Sequence, residues 1–148
     1  MKLRAVFALA LASIALVAAC GGGGKSTTKV GVGLKEWEVD IQPAEVKPGK
    51  VAFEVTNNGS RVHQLLVVKS DLPPSQLPTT ADNRADESKL NVTGTIEAIQ
   101  PGETATLELE LFPGKYLLID NMLSQNASGP ADPHYLNGMA ALLFVLDN

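Results

Sequence analysis

The residues that could do chemistry in this chain are few. There are two histidines, three methionines and one cysteine in 148 residues. His63 opens an apolar run, Leu65 to Val68, and His134 stands just before the last apolar segment, with Met139 five residues on. Asp120 closes another apolar run, Tyr116 to Ile119. Two imidazoles, a carboxylate and a thioether make a ligand set for a divalent transition metal. The bland alternative is a hydrogen-bonded core histidine, a surface histidine, a turn aspartate followed by Asn121, and a core methionine. No nucleophile–base motif, phosphate loop or second thiol is present, which argues against an enzyme.

The single cysteine has another use. Lys2 and Arg4 precede an apolar stretch, Ala5 to Val17, that is short for a membrane span of ~20 residues but suits an export signal. It ends on Val17-Ala18-Ala19-Cys20, which resembles the lipobox of bacterial lipoproteins. The resemblance implies cleavage before Cys20, removal of residues 1–19 as a signal peptide and acylation of the thiol. The membrane is then a partner through a lipid anchor, and the chain is exported to the cell membrane or an outer membrane, facing the periplasm or exterior. Two acyl chains suffice for stable anchoring. Residues 20–29, rich in Gly, Ser and Thr, are expected to be a tether.

Without residues 1–19 the chain has 129 residues, one domain's worth, with 10 basic and 16 acidic side chains, a balance of −6. That argues against nucleic acid, which requires a basic face. An acylated Cys20 leaves neither a disulfide nor a thiolate.

The elements that must position the candidate residues are strands. Val30 and Val32 alternate with glycines. Trp37, Val39 and Ile41 alternate with acids, which predicts a half-buried strand with Trp37 in the core. Val51, Phe53 and Val55 alternate next, and Asn57-Asn58-Gly59 stops them. Leu65 to Val68 is expected to be buried on both sides. Residues 70–94, with Pro73, Pro74 and Pro78, read as a long surface loop with one helical turn. Thr95–Ile99, Thr104–Leu111, Tyr116–Ile119 and Met139–Leu146 complete the set. Roughly seven to eight short strands with regular turn signals and no helical period predict an all-β Greek-key β-sandwich over 30–148.

Four segments resemble the cupredoxins, the plastocyanin-like copper proteins. Thr56-Asn57-Asn58-Gly59-Ser60-Arg61-Val62-His63 is similar to the strand and turn before their first ligand histidine. Pro101 to Leu107 resembles the turn and strand preceding the metal loop. Pro113-Gly114-Lys115-Tyr116 resembles the strand that delivers a ligand cysteine four residues past the tyrosine. Pro133-His134-Tyr135-Leu136-Asn137-Gly138-Met139 resembles the closing histidine and methionine. The resemblance covers Val30 to Leu146 and implies metal ligands at His63, His134 and Met139, with Met122 a less favoured thioether. It departs at the fourth position past Tyr116, which is Asp120 and not cysteine. Carboxylate for thiolate implies a non-blue site for copper, with zinc as the alternative. The expected work is metal handling or a degenerate electron-transfer role, with a metal or redox protein as partner. The competing expectation is a metal-free interaction module that presents its loops.

Overall fold

The computed structural model describes residues 26–125 and 129–147. Strands β1 (Thr28–Lys35), β2 (Glu38–Gln42), β4 (Gly49–Asn57) and β7 (Thr104–Leu111) form one sheet in the order β2-β1-β4-β7. The second sheet runs β3-β11-β8-β5-β6 and is built from β3 (Glu45–Val46), β5 (His63–Lys69), β6 (Asn91–Ile99), β8 (Gly114–Ile119) and β11 (Ala140–Val145). Two two-residue strands, β9 (Leu123–Ser124) and β10 (Asp132–Pro133), pair by themselves. The architecture is the expected β-sandwich. β1 begins two residues before the expected domain start, so Thr28 and Lys29 join the sheet rather than the tether.

Alternation places the core. Val30, Val32 and Leu34 on β1 lie beside Val51, Phe53 and Val55 on β4, and all pack onto Leu65, Val67, Tyr116, Leu118 and Leu143 of the second sheet. Each fully buried aliphatic or aromatic side chain contributes about 1.5–3 kcal/mol relative to exposure. The Tyr116 hydroxyl keeps its polar tip satisfied by donating to Phe112 O (3.0 Å) and accepting from Phe112 N–H (3.2 Å).

β5 and β8 are buried on both faces, and the loop between β5 and β6 explains why. Leu77 and Ala85 from that loop, with Tyr135, cover Leu66, Val68, Leu117 and Ile119 on the outer face of the sheet. The loop lies on the surface as expected, with only Leu77 and Ala85 buried, and is shorter than expected because β6 begins at Asn91. It holds two 3-10 turns, Pro74–Gln76 and Glu87–Lys89, and ends at Leu90 where β6 begins. Asn121 pins it beside the metal-site candidates, accepting from Ala85 N–H (2.7 Å) and donating to Ala85 O (2.9 Å) and Glu87 Oε1 (2.8 Å).

Trp37 departs from expectation. It lies in the two-residue turn between β1 and β2 rather than on a strand, although it is partly buried and packs against the core as expected. Among the described residues no helix is long and apolar enough to cross a membrane.

Candidate metal centre

Strand register brings three of the candidates together at one end of the sandwich. β5 and β8 pair antiparallel with Leu66 opposite Ile119, so the start of β5 (His63) meets the residue just past β8 (Asp120). β11 pairs β8 with Ala140 opposite Ile119, which sets Met139 beside Asp120. The β9–β10 pair carries the chain to His134, whose N–H donates to Met122 O (2.9 Å).

The Asn57 side chain fixes the approach to His63. It is fully buried, its Nδ2 donates to Arg61 O (2.7 Å) and Ile99 O (2.8 Å), and its Oδ1 accepts from Gly59 N–H (2.9 Å). An asparagine is suited to this job because it offers donors and an acceptor from one short side chain.

His63, Asp120 and His134 are all fully buried, and a donor atom of each lies within 4.8 Å of the others. One carboxylate oxygen, Asp120 Oδ2, takes both rings: His63 Nδ1 at 2.6 Å and His134 Nδ1 at 2.8 Å. The other, Oδ1, accepts from Met122 N–H (2.9 Å). Burial pushes the Asp120 carboxyl up, but the bonds from His134 and His63, and then Met122 N–H, outweigh it and hold it below the ordinary carboxylate range. An ionised carboxylate only accepts, so each Nδ1 facing it carries a hydrogen in this arrangement. His134 Nε2 shares a hydrogen bond with the Ser124 hydroxyl at 2.6 Å.

His63 Nε2 is left without a hydrogen-bond partner, the one such buried side-chain nitrogen or oxygen among the described residues. The group nearest in character is Glu36 Oε1 at 3.5 Å. Glu36 reaches this spot from the β1–β2 turn and accepts from Ser60 N–H and Arg61 N–H, both at 2.8 Å. Burial raises its carboxyl, and the N–H groups of its own residue, Ser60 and Arg61, with a smaller contribution from His63, carry it down to about 2. Gly59 leaves the room: a Cβ there would stand 2.8 Å from both Glu36 oxygens and 2.9 Å from His63 Nε2. Next along the turn, the Trp37 ring meets His134 edge-on at 5.3 Å, and Arg61 lies over Trp37 at 5.4 Å while pairing with Asp132 (3.4 Å).

These contacts test whether the residues fit a metal. A histidine that ligates through Nδ1 must place its Nε2–H on an outer acceptor. Glu36 stands in that position for His63, and Ser124 for His134. The orphaned nitrogen becomes a donor aimed at a carboxylate, so the donor set fits a divalent ion.

Met139 is fully buried in the main core and is tied to the triad by its main chain: Asp120 N–H donates to Met139 O (3.1 Å), and Met139 N–H to His134 O (3.2 Å). Cys20 lies outside the described residues. Glu36, Trp37 and Ser124 were not singled out as site residues by the sequence. Ser124 lies ten positions from His134 and Glu36 twenty-seven from His63, with no local pattern linking them.

No protein-family model and no curated protein matches the chain by sequence. Solved structures do match it. An auracyanin from Roseiflexus castenholzii is 16% identical over 84% of this chain and 100% of its own, with a TM-score of 0.53. Auracyanin A, a "blue" copper protein from Chloroflexus aurantiacus, is 19% identical over 82% and 100% of the two chains, with a TM-score of 0.53. Reduced rusticyanin is 14% identical over 81% and 79%, with a TM-score of 0.56. The chain has the cupredoxin fold, with Asp120 at the strand end where the resemblance places a ligand cysteine.

Proposed function

We propose that this chain is a lipid-anchored, extracytoplasmic metal-binding protein whose site is His63, Asp120 and His134, with Met139 as the adjoining thioether and copper as its ion. The observation that carries the reading is the convergence of both Nδ1 atoms on one buried carboxylate oxygen, with an outer acceptor already set for each ring. Two imidazoles and a carboxylate suit Cu(II), and Zn(II) as the alternative. Copper in such a site supplies a one-electron couple, or is itself the cargo. Asp120 sets the charge that balances the ion, Glu36 and Ser124 orient the rings, and Trp37 with Arg61 keeps water from them. Anchoring rests on the lipobox at Val17–Cys20 and on the charge balance, which leaves adhesion to the lipid.

Trp37 is the chain's only tryptophan and touches His134, so it reports on the site. Cu(II), a paramagnetic quencher, should extinguish most of its fluorescence at one equivalent. Equilibrium dialysis should show one bound ion, and none in the doubly substituted His63→Ala, His134→Ala protein. Equal uptake by both proteins refutes the proposal.

One observation favours a second reading, a metal-free interaction module. Contacts of 2.6 and 2.8 Å are ordinary hydrogen bonds, so the triad closes on itself without an ion. In that case micromolar Cu(II) leaves the melting temperature unchanged, whereas a ligand of the native state raises it.

A further inference from the structure

We infer that the end of the sandwich opposite the histidines is a membrane-resting face, seated on the lipid bilayer to which the chain is tethered, so that the site points away from the membrane. This rests on the lipid-anchor reading above and adds an orientation and a contact surface to it.

The strand register defines the two ends. Asn57, His63 and Asp120 stand at one. At the other, Thr28 lies opposite Val51, Gly49 opposite Leu111, and Val145 opposite Gly114. The described chain enters at this second end, where Ser26 and Thr28 line a shallow recess with Lys47, Lys50 and Phe112. Ser26 is only six positions along the chain from Cys20. Fully extended, that stretch reaches about 20 Å, so an acylated Cys20 keeps this end close to the bilayer. The eight residues of β7 set the histidine end roughly 25 Å further out.

The surface of this end suits that position. Four large apolar side chains are conspicuously exposed among the described residues: Leu72, Phe112, Leu136 and Leu146. Three of them follow strands that finish here. Phe112 comes directly after β7 and is 64% exposed; Leu146 comes directly after β11 and is 48% exposed; Leu72 lies three residues past β5. Leu136 belongs to the histidine end. An aromatic and two leucines on loop tips are the chemistry of shallow insertion at a headgroup–acyl boundary.

Charge points the same way. At this end Lys47, Lys50, Lys69 and Lys115 are matched by Glu45, Asp71, Glu110 and Asp147. The remaining described residues hold five basic and twelve acidic side chains, a balance of −7. An anionic leaflet repels the acidic remainder and tolerates the neutral end, so the molecule settles with Phe112 down.

The test uses the full lipidated chain in vesicles of phosphatidylethanolamine and phosphatidylglycerol brominated on the acyl chains. Acylation consumes the Cys20 thiol, so Phe112→Cys, Leu146→Cys or Leu136→Cys supplies the one thiol for a fluorescent label. All three positions are exposed, and unchanged melting temperatures confirm folding. Labels at 112 and 146 should lose at least about half their emission to the brominated chains, and the label at 136 should lose almost none, as expected for residues seated within ~10 Å of the boundary. If the chain floats with the vesicles but the label at 112 is quenched no more than that at 136, the resting face is refuted and the anchor stands. If the chain does not float, both fall.

Discussion

Replacing Asn57 by alanine tests whether one buried side chain holds the site's approach loop. Asn57→Ala removes three hydrogen bonds at 2.7, 2.8 and 2.9 Å and leaves the strand's main-chain pairing untouched. Ile99 O is in a buried contact, so its loss of a donor costs about 1–3 kcal/mol. Arg61 O and Gly59 N–H are part-buried and recover water, costing about 0.5–1.5 kcal/mol each. The sum is about 4 kcal/mol. With a urea slope of about 1.5 kcal/mol per molar for a domain of this size, the unfolding midpoint should drop by about 2.7 M. The same loop presents Ser60 N–H and Arg61 N–H to Glu36, so copper affinity should fall in parallel, by at least about tenfold, the order seen when outer partners of a ligand are lost. A midpoint shift below about 0.3 M would show that the loop is held by other means.

Two further outcomes follow from the carboxylates. Asp120→Cys supplies the thiolate between two imidazoles, and with Cu(II) the protein should gain the intense visible band of a His₂Cys site; a colourless copper complex would mean that position 120 does not reach the ion. Acid should unfold the protein in a characteristic window. Glu36 and Asp120 both lie lower in the folded protein than their ordinary values, so their stabilisation is complete above the unfolded-state value and is lost as pH falls towards the folded one. For Glu36 that window runs from 4.5 down to about 2. The urea midpoint should hold above that window and fall within it, less steeply in Glu36→Gln; identical slopes in the two proteins would remove Glu36 from the account.

Much of the fold was legible because alternation and burial coincide. β7 reads polar–apolar from Thr104 to Leu111, and its burial alternates residue by residue. The uniformly apolar β5 is buried on both faces. β6 was half missed because Gly94 interrupts it, and glycine ordinarily marks a break. Here it marks a close approach: a Cβ at Gly94 would lie 2.7 Å from Leu109 Cδ2 and 3.2 Å from Leu107 Cδ2, so the glycine lets β6 lie against β7's inward leucines. The first turn failed for the opposite reason. Lys35-Glu36-Trp37-Glu38 has no glycine, proline or asparagine to announce it, and its tie lies in another loop, where Glu36 takes the Ser60 and Arg61 N–H groups.

That unannounced turn changes how the site is understood. Spacing and resemblance supplied His63, Asp120, His134 and Met139, residues whose types carry chemistry by themselves. The outer partners carry none alone, since glutamate, tryptophan and serine occur on any surface. They acquire a role only because the β1–β2 turn folds over the end of the sandwich. Glu36 then faces the one imidazole nitrogen that the triad cannot satisfy, and Trp37, held under Arg61, closes over the other ring. Both histidines are fully buried, so an ion reaches Asp120 only when a covering segment moves, and this turn lies against both rings. Trp37→Ala should therefore speed Cu(II) uptake while leaving equilibrium affinity nearly unchanged, because it removes the cover and no ligand. Dialysis gives the affinity, and the growth of copper's own absorbance in stopped flow gives the rate. An unchanged rate would mean that the ion enters elsewhere, and the β5–β6 loop pinned by Asn121 would become the candidate door.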